Sequence, residues 1–256
     1  MDEEIFAEAN GAVTTVTINR PERRNALNAT ALQAFAEIFR AQPPAEERVV
    51  VIRSVGPVFC SGRDLKEMRD RFGAPPPATA SIAEVFEAIE QYPLPVVAVV
   101  QGDAIAGGNE LAMHCDFVVA STNARFGMSL VQLGMAPSWF LTKKLLDQAG
   151  PVVTREILLL GDPVPAARLH SIGVIARAVP PEELEQAVAA IVDRLAQNAP
   201  LSLRAIKRVI NREMQFRDQI PHDDLDALLR EIGRSADARE GIAARLERRP
   251  PVFRGA

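Results

Sequence analysis

The stretch Val96-Val97-Ala98-Val99-Val100-Gln101-Gly102-Asp103-Ala104-Ile105-Ala106-Gly107-Gly108-Asn109-Glu110-Leu111 decides how the rest of the chain is read. Its first residues form a short, continuously apolar run, which predicts a strand covered on both faces. A glycine-containing turn then leads into a helix opening at Gly107-Gly108. The first backbone N–H groups of a helix lack intrahelical acceptors, so they can face an anion. The same glycines also fit a plain turn or a close contact between helix and strand. Gly102 and Gly107 have the spacing of a phosphate-binding loop, but Gly108-Asn109 replaces the Lys-Ser/Thr pair that would reach phosphate and Mg²⁺. No Gly-x-Gly-x-x-Gly turn for a dinucleotide is present either.

Outward from this stretch, the chain alternates strands and helices. Ile5 to Glu8 and Val13 to Ile18 flank Asn10-Gly11, which predicts a hairpin. After Asn28, Thr30 can cap a helix carrying Leu32, Phe35, Ile38 and Phe39 at helical spacing, and Val49-Val50-Val51-Ile52 is a second buried strand. A helix over Ile82 to Ile89 and a strand at Phe117 to Ala120 complete a βαβ pattern with mainly parallel pairing. Ala74-Pro75-Pro76-Pro77 predicts a surface loop. Beyond Pro180 the pattern turns helical: Glu182 to Gln197, Leu201 to Met214, Asp223 to Gly233 and Ala236 to Arg248. Amphipathic helices collected at one end either cover their own core or also build a subunit interface.

Composition narrows the function. The 256 residues are 48% hydrophobic and 24% charged, the mix of an ordinary folded protein, with a formal net charge of −4. That balance gives no general attraction to a polyanion, so no nucleic-acid partner is expected. No apolar run approaches the roughly 20 residues of a membrane helix. Met1-Asp2-Glu3-Glu4 does not resemble a secretory leader, and the chain is read as soluble and unprocessed. Cys60 and Cys115 show no metal-ligand spacing and fit a reducing, cytoplasmic setting.

Two further segments carry candidate chemistry. Val58-Phe59-Cys60-Ser61-Gly62-Arg63-Asp64-Leu65-Lys66-Glu67-Met68 ends an apolar strand in Ser61-Gly62, leaving the N–H of Arg63 exposed. Asn19-Arg20-Pro21-Glu22-Arg23-Arg24-Asn25-Ala26-Leu27-Asn28 is a basic loop that can meet phosphates or simply be solvated.

These three segments, in this order, resemble the crotonase superfamily, the enoyl-CoA hydratase/isomerase family. The resemblance continues through Ala124-Arg125-Phe126-Gly127, Leu133-Gly134-Met135-Ala136-Pro137, Leu159-Leu160-Gly161-Asp162, Ile172-Gly173-Val174-Ile175, Pro200-Leu201-Ser202-Leu203-Arg204-Ala205-Ile206-Lys207 and Glu240-Gly241-Ile242. It implies an α/β fold, a spiral of ββα turns over residues 1–197, and a helical region over 198–256 that forms trimers or dimers of trimers and closes the CoA pocket. An acyl-CoA thioester is the implied substrate, with its carbonyl oxygen between the backbone N–H groups of Arg63 and Gly107. No cofactor or metal is expected, because CoA belongs to the substrate. Arg24, Ala26, Leu27, Asp64, Leu65, Lys66, Gly108 and Leu130 match positions around CoA or its acyl group. Arg248 matches a basic position reaching CoA phosphates from a neighbouring subunit.

Glu110 matches the first of two glutamates used by the family's hydratases; on its own it would be a solvated residue near a helix start. The second glutamate position aligns with Leu130, which can neither orient water nor carry a proton. A single carboxylate suits double-bond isomerisation, where one group removes a proton and returns it elsewhere, although a protonated Glu110 with another water ligand can still hydrate. Decarboxylation, thioester hydrolysis and a catalytically weak CoA-binding scaffold are the alternatives. Asp103 is a reserve base, and His114, one turn after Glu110, is either an assistant or a core residue. Ser138-Trp139-Phe140-Leu141 replaces a glycine-rich turn and either reshapes the acyl pocket or fills the core. Arg245 stands where relatives often have Phe.

Overall fold

The computed structural model describes residues 3–72, 74 and 79–255; Met1, Asp2 and the Pro75-Pro76-Pro77 part of the expected loop lie outside them. In chain order the elements are β1 (Ile5–Asn10), β2 (Val13–Ile18), α1 (Ala29–Arg40), β3 (Val49–Ser54), α2 (Leu65–Asp70), α3 (Ile82–Gln91), β4 (Val96–Val100) and β5 (Ala104–Ile105). They continue with α4 (Gly107–Met113), β6 (Phe117–Ser121), β7 (Arg125–Gly127), α5 (Trp139–Arg155), β8 (Val164–Pro165), α6 (Ala166–Ser171) and β9 (Arg177–Val179). Helices α7 (Leu184–Gln197), α8 (Pro200–Met214), α9 (Asp223–Ile232) and α10 (Ala236–Glu247) end the chain.

The main sheet has the order β1-β2-β3-β4-β6-β9, with only β1 and β2 antiparallel. Strand β4 and residues 49–52 of β3 are continuously apolar because both of their faces are buried, and Arg53 and Ser54 end β3 at the half-buried rim. Val49, Val51, Val97 and Val99 pack with Leu184, Val188, Val192 and Leu195 of α7. Their alternating neighbours Val50, Ile52, Val96, Ala98 and Val100 join the larger core under α1 and α3. A small sheet, β5-β7-β8, carries the chain from β4 towards α4.

Two local expectations shift. The hairpin pairs Asn10 with Val13, so the loop is Gly11-Ala12 and Gly11, at φ 59°, supplies the one positive φ the turn requires. Helix α1 is capped by Asn28, whose side chain accepts from Ala31 N, and Thr30 sits exposed in the first turn. Helix α3 begins with a reciprocal Ser81/Glu84 capping box.

At the C-terminal end, the buried Lys207 ties α8 to the core, donating to Leu94 O at 2.9 Å and Asp116 Oδ2 at 2.6 Å. Helices α8 and α9 expose Leu201, Ile206, Val209, Ile210, Leu225 and Leu228. Helix α10 lies against α2 and the 3-10 turn Val131–Leu133 of the same chain. The approach is so close that a Cβ on Gly241 would fall 2.3 Å from the Leu133 carbonyl oxygen. Among the described residues, no helix is long and apolar enough to cross a membrane.

Candidate active site

The two expected amides converge because the segment around 60–64 is pinned on both sides. On one side Leu27 N donates to Gly62 O at 2.7 Å and Asp64 N to Leu27 O at 3.0 Å. On the other, Ile105 N donates to Cys60 O at 2.9 Å. In the parallel bridge of Leu27 with Arg63, the Arg63 N–H points away from Leu27, and among the described residues it donates to no acceptor. The N–H of Gly107 is likewise undonated there, being the first of α4.

Close packing sets the distance between them. Gly62 adopts φ +89°, and a Cβ there would fall 2.9 Å from Gly107 N. A Cβ on Gly107 would lie 3.7 Å from Arg63 N. Gly108 presses on Cys60, with its hypothetical Cβ only 2.0 Å from the Cys60 carbonyl oxygen. Gly108→Ala is therefore expected to destabilise the fold by about 1–3 kcal/mol through overpacking, measured by denaturant unfolding. Ala106 takes φ 51° and ψ −120°, a conformation costing a non-glycine residue about 1–3 kcal/mol. Hydrogen bonds on both sides hold it there: Ala106 N donates to Gly127 O at 2.7 Å, and Ala106 O accepts from Glu110 N at 3.1 Å.

Glu110 stands in the first turn of α4, half-buried, and burial alone pushes its carboxyl up to about 8. It is thus mostly protonated near neutrality. Leu130 follows β7, whose Gly127 is bonded to Ala106, and its side chain packs on the main core. The reserve base Asp103 is committed elsewhere: Arg125 donates to both of its carboxylate oxygens, at 3.0 and 2.7 Å. His114 is a core residue. Its ring lies between Phe86 and Phe140, with centroids at 5.4 and 4.7 Å, and Nδ1 is 2.7 Å from the Glu110 backbone carbonyl, so it faces the main chain of Glu110. Burial and Lys144 hold its pKa down at about 4. Phe140 is therefore packing, while Trp139 stacks at 4.8 Å on His222, joining α5 to the residue that precedes α9. Cys60 is buried with its thiol pushed up to about 12, which removes it as a nucleophile at neutral pH.

The remaining candidates surround this centre unequally. Arg24 is exposed, and both it and Asn25 adopt a left-handed φ, at 53° and 54°. Ala26 and Leu27 are buried, and both backbone groups of Leu27 are used in its bridge, so they form wall rather than polar contact. Asp64 caps α2 through Lys66 N and Glu67 N, while Leu65 is half-buried and Lys66 exposed. Arg248 stands at the end of α10 with Arg245, Arg249, Gln132 and Phe253 around a cleft of 440 Å³. A separate 360 Å³ cavity behind His114 is lined by Phe140, Lys144, Leu203, Ile206 and Met214 among others, and by none of Arg63, Gly107 and Glu110.

One basic residue turns inward against expectation. Arg20, read as part of a loop open to phosphates, is buried. Its guanidinium donates to Glu4, Asp64 and the Ala26 carbonyl.

Comparison with known proteins gives the family and the fold. The profile of the family described as enoyl-CoA hydratase/isomerase matches residues 8–256. The chain is 32% identical to the crotonyl-CoA hydratase of Syntrophomonas wolfei, over 98% of each chain. It superposes on the crystal structure of an enoyl-CoA hydratase from Mycobacterium avium subsp. paratuberculosis K-10 with a TM-score of 0.85 at 28% identity, covering 98% of both chains. A methylmalonyl-CoA decarboxylase complexed with 2S-carboxypropyl CoA gives a TM-score of 0.89 at 22% identity over 100% of both chains, a likeness of fold. The chain has the crotonase fold and belongs to the enoyl-CoA hydratase/isomerase family.

Proposed function

We propose that the protein moves the double bond of an enoyl-CoA thioester, with the N–H groups of Arg63 and Gly107 holding the thioester oxygen and Glu110 as the single acid/base. The observation that carries the reading is the pair of free, converging amides, with the half-buried Glu110 in the first turn of the helix that Gly107 opens. The Glu110 carboxylate takes a proton from Cα of a 3-enoyl thioester. The electron pair moves onto the thioester oxygen as a dienolate, stabilised by the two N–H groups. Glu110 then returns the proton at Cγ, leaving the 2-enoyl product. Leu130 supports this reading because no carboxylate occupies its place, and Asp103 and His114 are engaged elsewhere. Exposed Arg24, Lys66 and Arg248 are suited to meet the CoA phosphates. The exposed apolar residues of α8 and α9 support assembly into trimers, which sedimentation at micromolar concentration tests; a monomer contradicts it.

A second reading is hydration. It is favoured by the hydratase names of similar proteins and by a Glu110 that keeps its proton near neutrality, ready to protonate Cα. Purified protein is offered a 2-enoyl-CoA and a 3-enoyl-CoA while conjugated-thioester absorbance is followed. Gain from the 3-enoyl substrate supports isomerisation, and loss from the 2-enoyl substrate supports hydration. Absence of either, with CoA thioesters still bound, favours the scaffold alternative.

The pH dependence separates the two reactions independently. Isomerisation from the 3-enoyl side begins with the carboxylate, so its kcat/KM is expected to rise as pH passes through about 8. Hydration, needing the protonated form, falls over the same range. A flat profile between pH 6 and 9 would remove Glu110 from either chemistry (window set about its value of 8).

A further inference from the structure

We infer that Arg20 is a positioning residue for the thioester-oxygen site, its guanidinium setting the place of the Arg63 N–H relative to the 24–27 loop. The inference rests on the reading of Arg63 and Gly107 given above.

Arg20 follows β2 and carries a buried side chain whose donors reach three separate segments. Nε donates to Glu4 Oε1 at 2.9 Å, one terminal nitrogen donates to Ala26 O, and the other donates to Asp64 Oδ2 at 3.4 Å. Asp64 directly follows Arg63, and its other carboxylate oxygen accepts from Lys66 N at 3.1 Å and Glu67 N at 3.4 Å. One carboxylate therefore links the start of α2 to Arg20.

The main chain around Arg20 is fixed in the same way. Arg20 N donates to Asn25 Oδ1 at 2.9 Å, and Asn25 N donates to Arg20 O at 2.9 Å. The Asn25 amide donates onward to Val55 O at 2.8 Å and Val58 O at 2.7 Å. The loop and the segment that carries Arg63, an irregular stretch with isolated bridges rather than the expected strand end, are thus held as one unit. The Leu27 bridge sets their register, and Arg20 closes the same unit from behind.

This arrangement needs a planar fork. Arginine can direct donors to three fixed acceptors at once, whereas the lysine ammonium is a compact point charge on a flexible stem. Arg20 is the salt-bridge partner of both Glu4 and Asp64 among the described residues, while the Arg63 guanidinium acts on Asp64 only through its charge. Losing Arg20 removes the hydrogen-bonded cation of a partly buried Asp64 and frees the 60–64 segment to move. Displacements of about 1 Å at a reacting centre can cost about 10²-fold in rate.

The test uses cinnamoyl-CoA, whose conjugated carbonyl absorbs further to the red when its oxygen is polarised by hydrogen-bond donors. The wild-type protein is expected to red-shift bound cinnamoyl-CoA. Arg20→Lys is expected to bind it with Kd within about tenfold, lose most of that shift, and turn over enoyl-CoA about 10²-fold more slowly. Asp64→Asn retains an oxygen to cap α2 but removes the charge facing Arg20. It is expected to lose shift in the same direction, and it serves as the test should Arg20→Lys fail to fold. Glu4→Gln, at the outer end of the fork, is expected to lose less than Asp64→Asn.

Full red shift and full kcat in the folded variants, with only thermal stability reduced, would make Arg20 a structural residue and overturn the inference alone. Equal losses from Glu4→Gln and Asp64→Asn would also overturn it, because the effect would then not run through Asp64. Failure of the wild-type protein itself to shift bound cinnamoyl-CoA would overturn the amide reading, and this inference with it.

Discussion

Glu110→Gln is expected to lower enoyl-CoA turnover about 10³-fold while acyl-CoA affinity stays within a few fold of wild type, because general acid/base groups contribute about 10²–10⁴. The amide is nearly the same size as the carboxyl, so the wall of the site is kept while the proton carrier is lost. Steady-state kinetics with titration calorimetry separates the two effects. Unchanged turnover would remove Glu110 from its role.

A stability signature accompanies this substitution. In the folded chain Glu110 keeps its proton up to about 8, against the ordinary 4.5 expected of the unfolded chain. Its contribution to folding is therefore fully present below pH 4.5 and is lost as pH rises through about 8. Glu110→Gln removes that loss, so the variant is expected to gain stability relative to wild type between those limits. The trade of stability for a proton carrier is common at active sites.

Gly62→Ala has the second large effect. Its Cβ would fall 2.9 Å from Gly107 N and 2.9 Å from the Ala106 Cβ, at a backbone φ of +89° that alanine rarely adopts. Relief has to come from separating the segments that carry the two amides. Removing one such donor costs about 10²–10³ in other enzymes, and a comparable fall in kcat is expected for the folded fraction. Normal kcat with normal folding would show that the spacing between Arg63 and Gly107 does not matter. A mere loss of expression is distinguished by measuring kcat per bound acyl-CoA.

The sequence made the centre of this site legible for a physical reason. All of β4 is buried, so its pattern is continuously apolar, and the glycines that follow sit where packing leaves no room for a side chain. The parallel order of β2, β3, β4 and β6 follows from the alternating elements. Strands β5, β7 and β8 have only two or three residues each, too few for an alternation to be read. Helix α5 is not legible as one helix because its pattern is interrupted at Gly150-Pro151, where the chain kinks.

Arg20 shows a different kind of loss. In a run of Arg, Glu and Arg residues, every charge has the same prior of being solvated. Only three-dimensional closure shows that Arg20 points inward while Arg23 and Arg24 remain outside. Ala106 is similar, since its positive φ is imposed by hydrogen bonds on both sides rather than by a glycine. Glu110 and Leu130 became informative through family resemblance, and their surroundings then removed Asp103 and His114 as competing groups.

The most direct test of the central claim is a crystal structure with butyryl-CoA, a saturated thioester that lacks the double bond to be moved. The thioester oxygen is predicted to lie about 3 Å from both Arg63 N and Gly107 N, with the Glu110 carboxyl facing Cα and Cγ. A thioester lodged in the 360 Å³ cavity behind His114, or one bound with its oxygen beyond hydrogen-bond reach of both amides, would contradict the account.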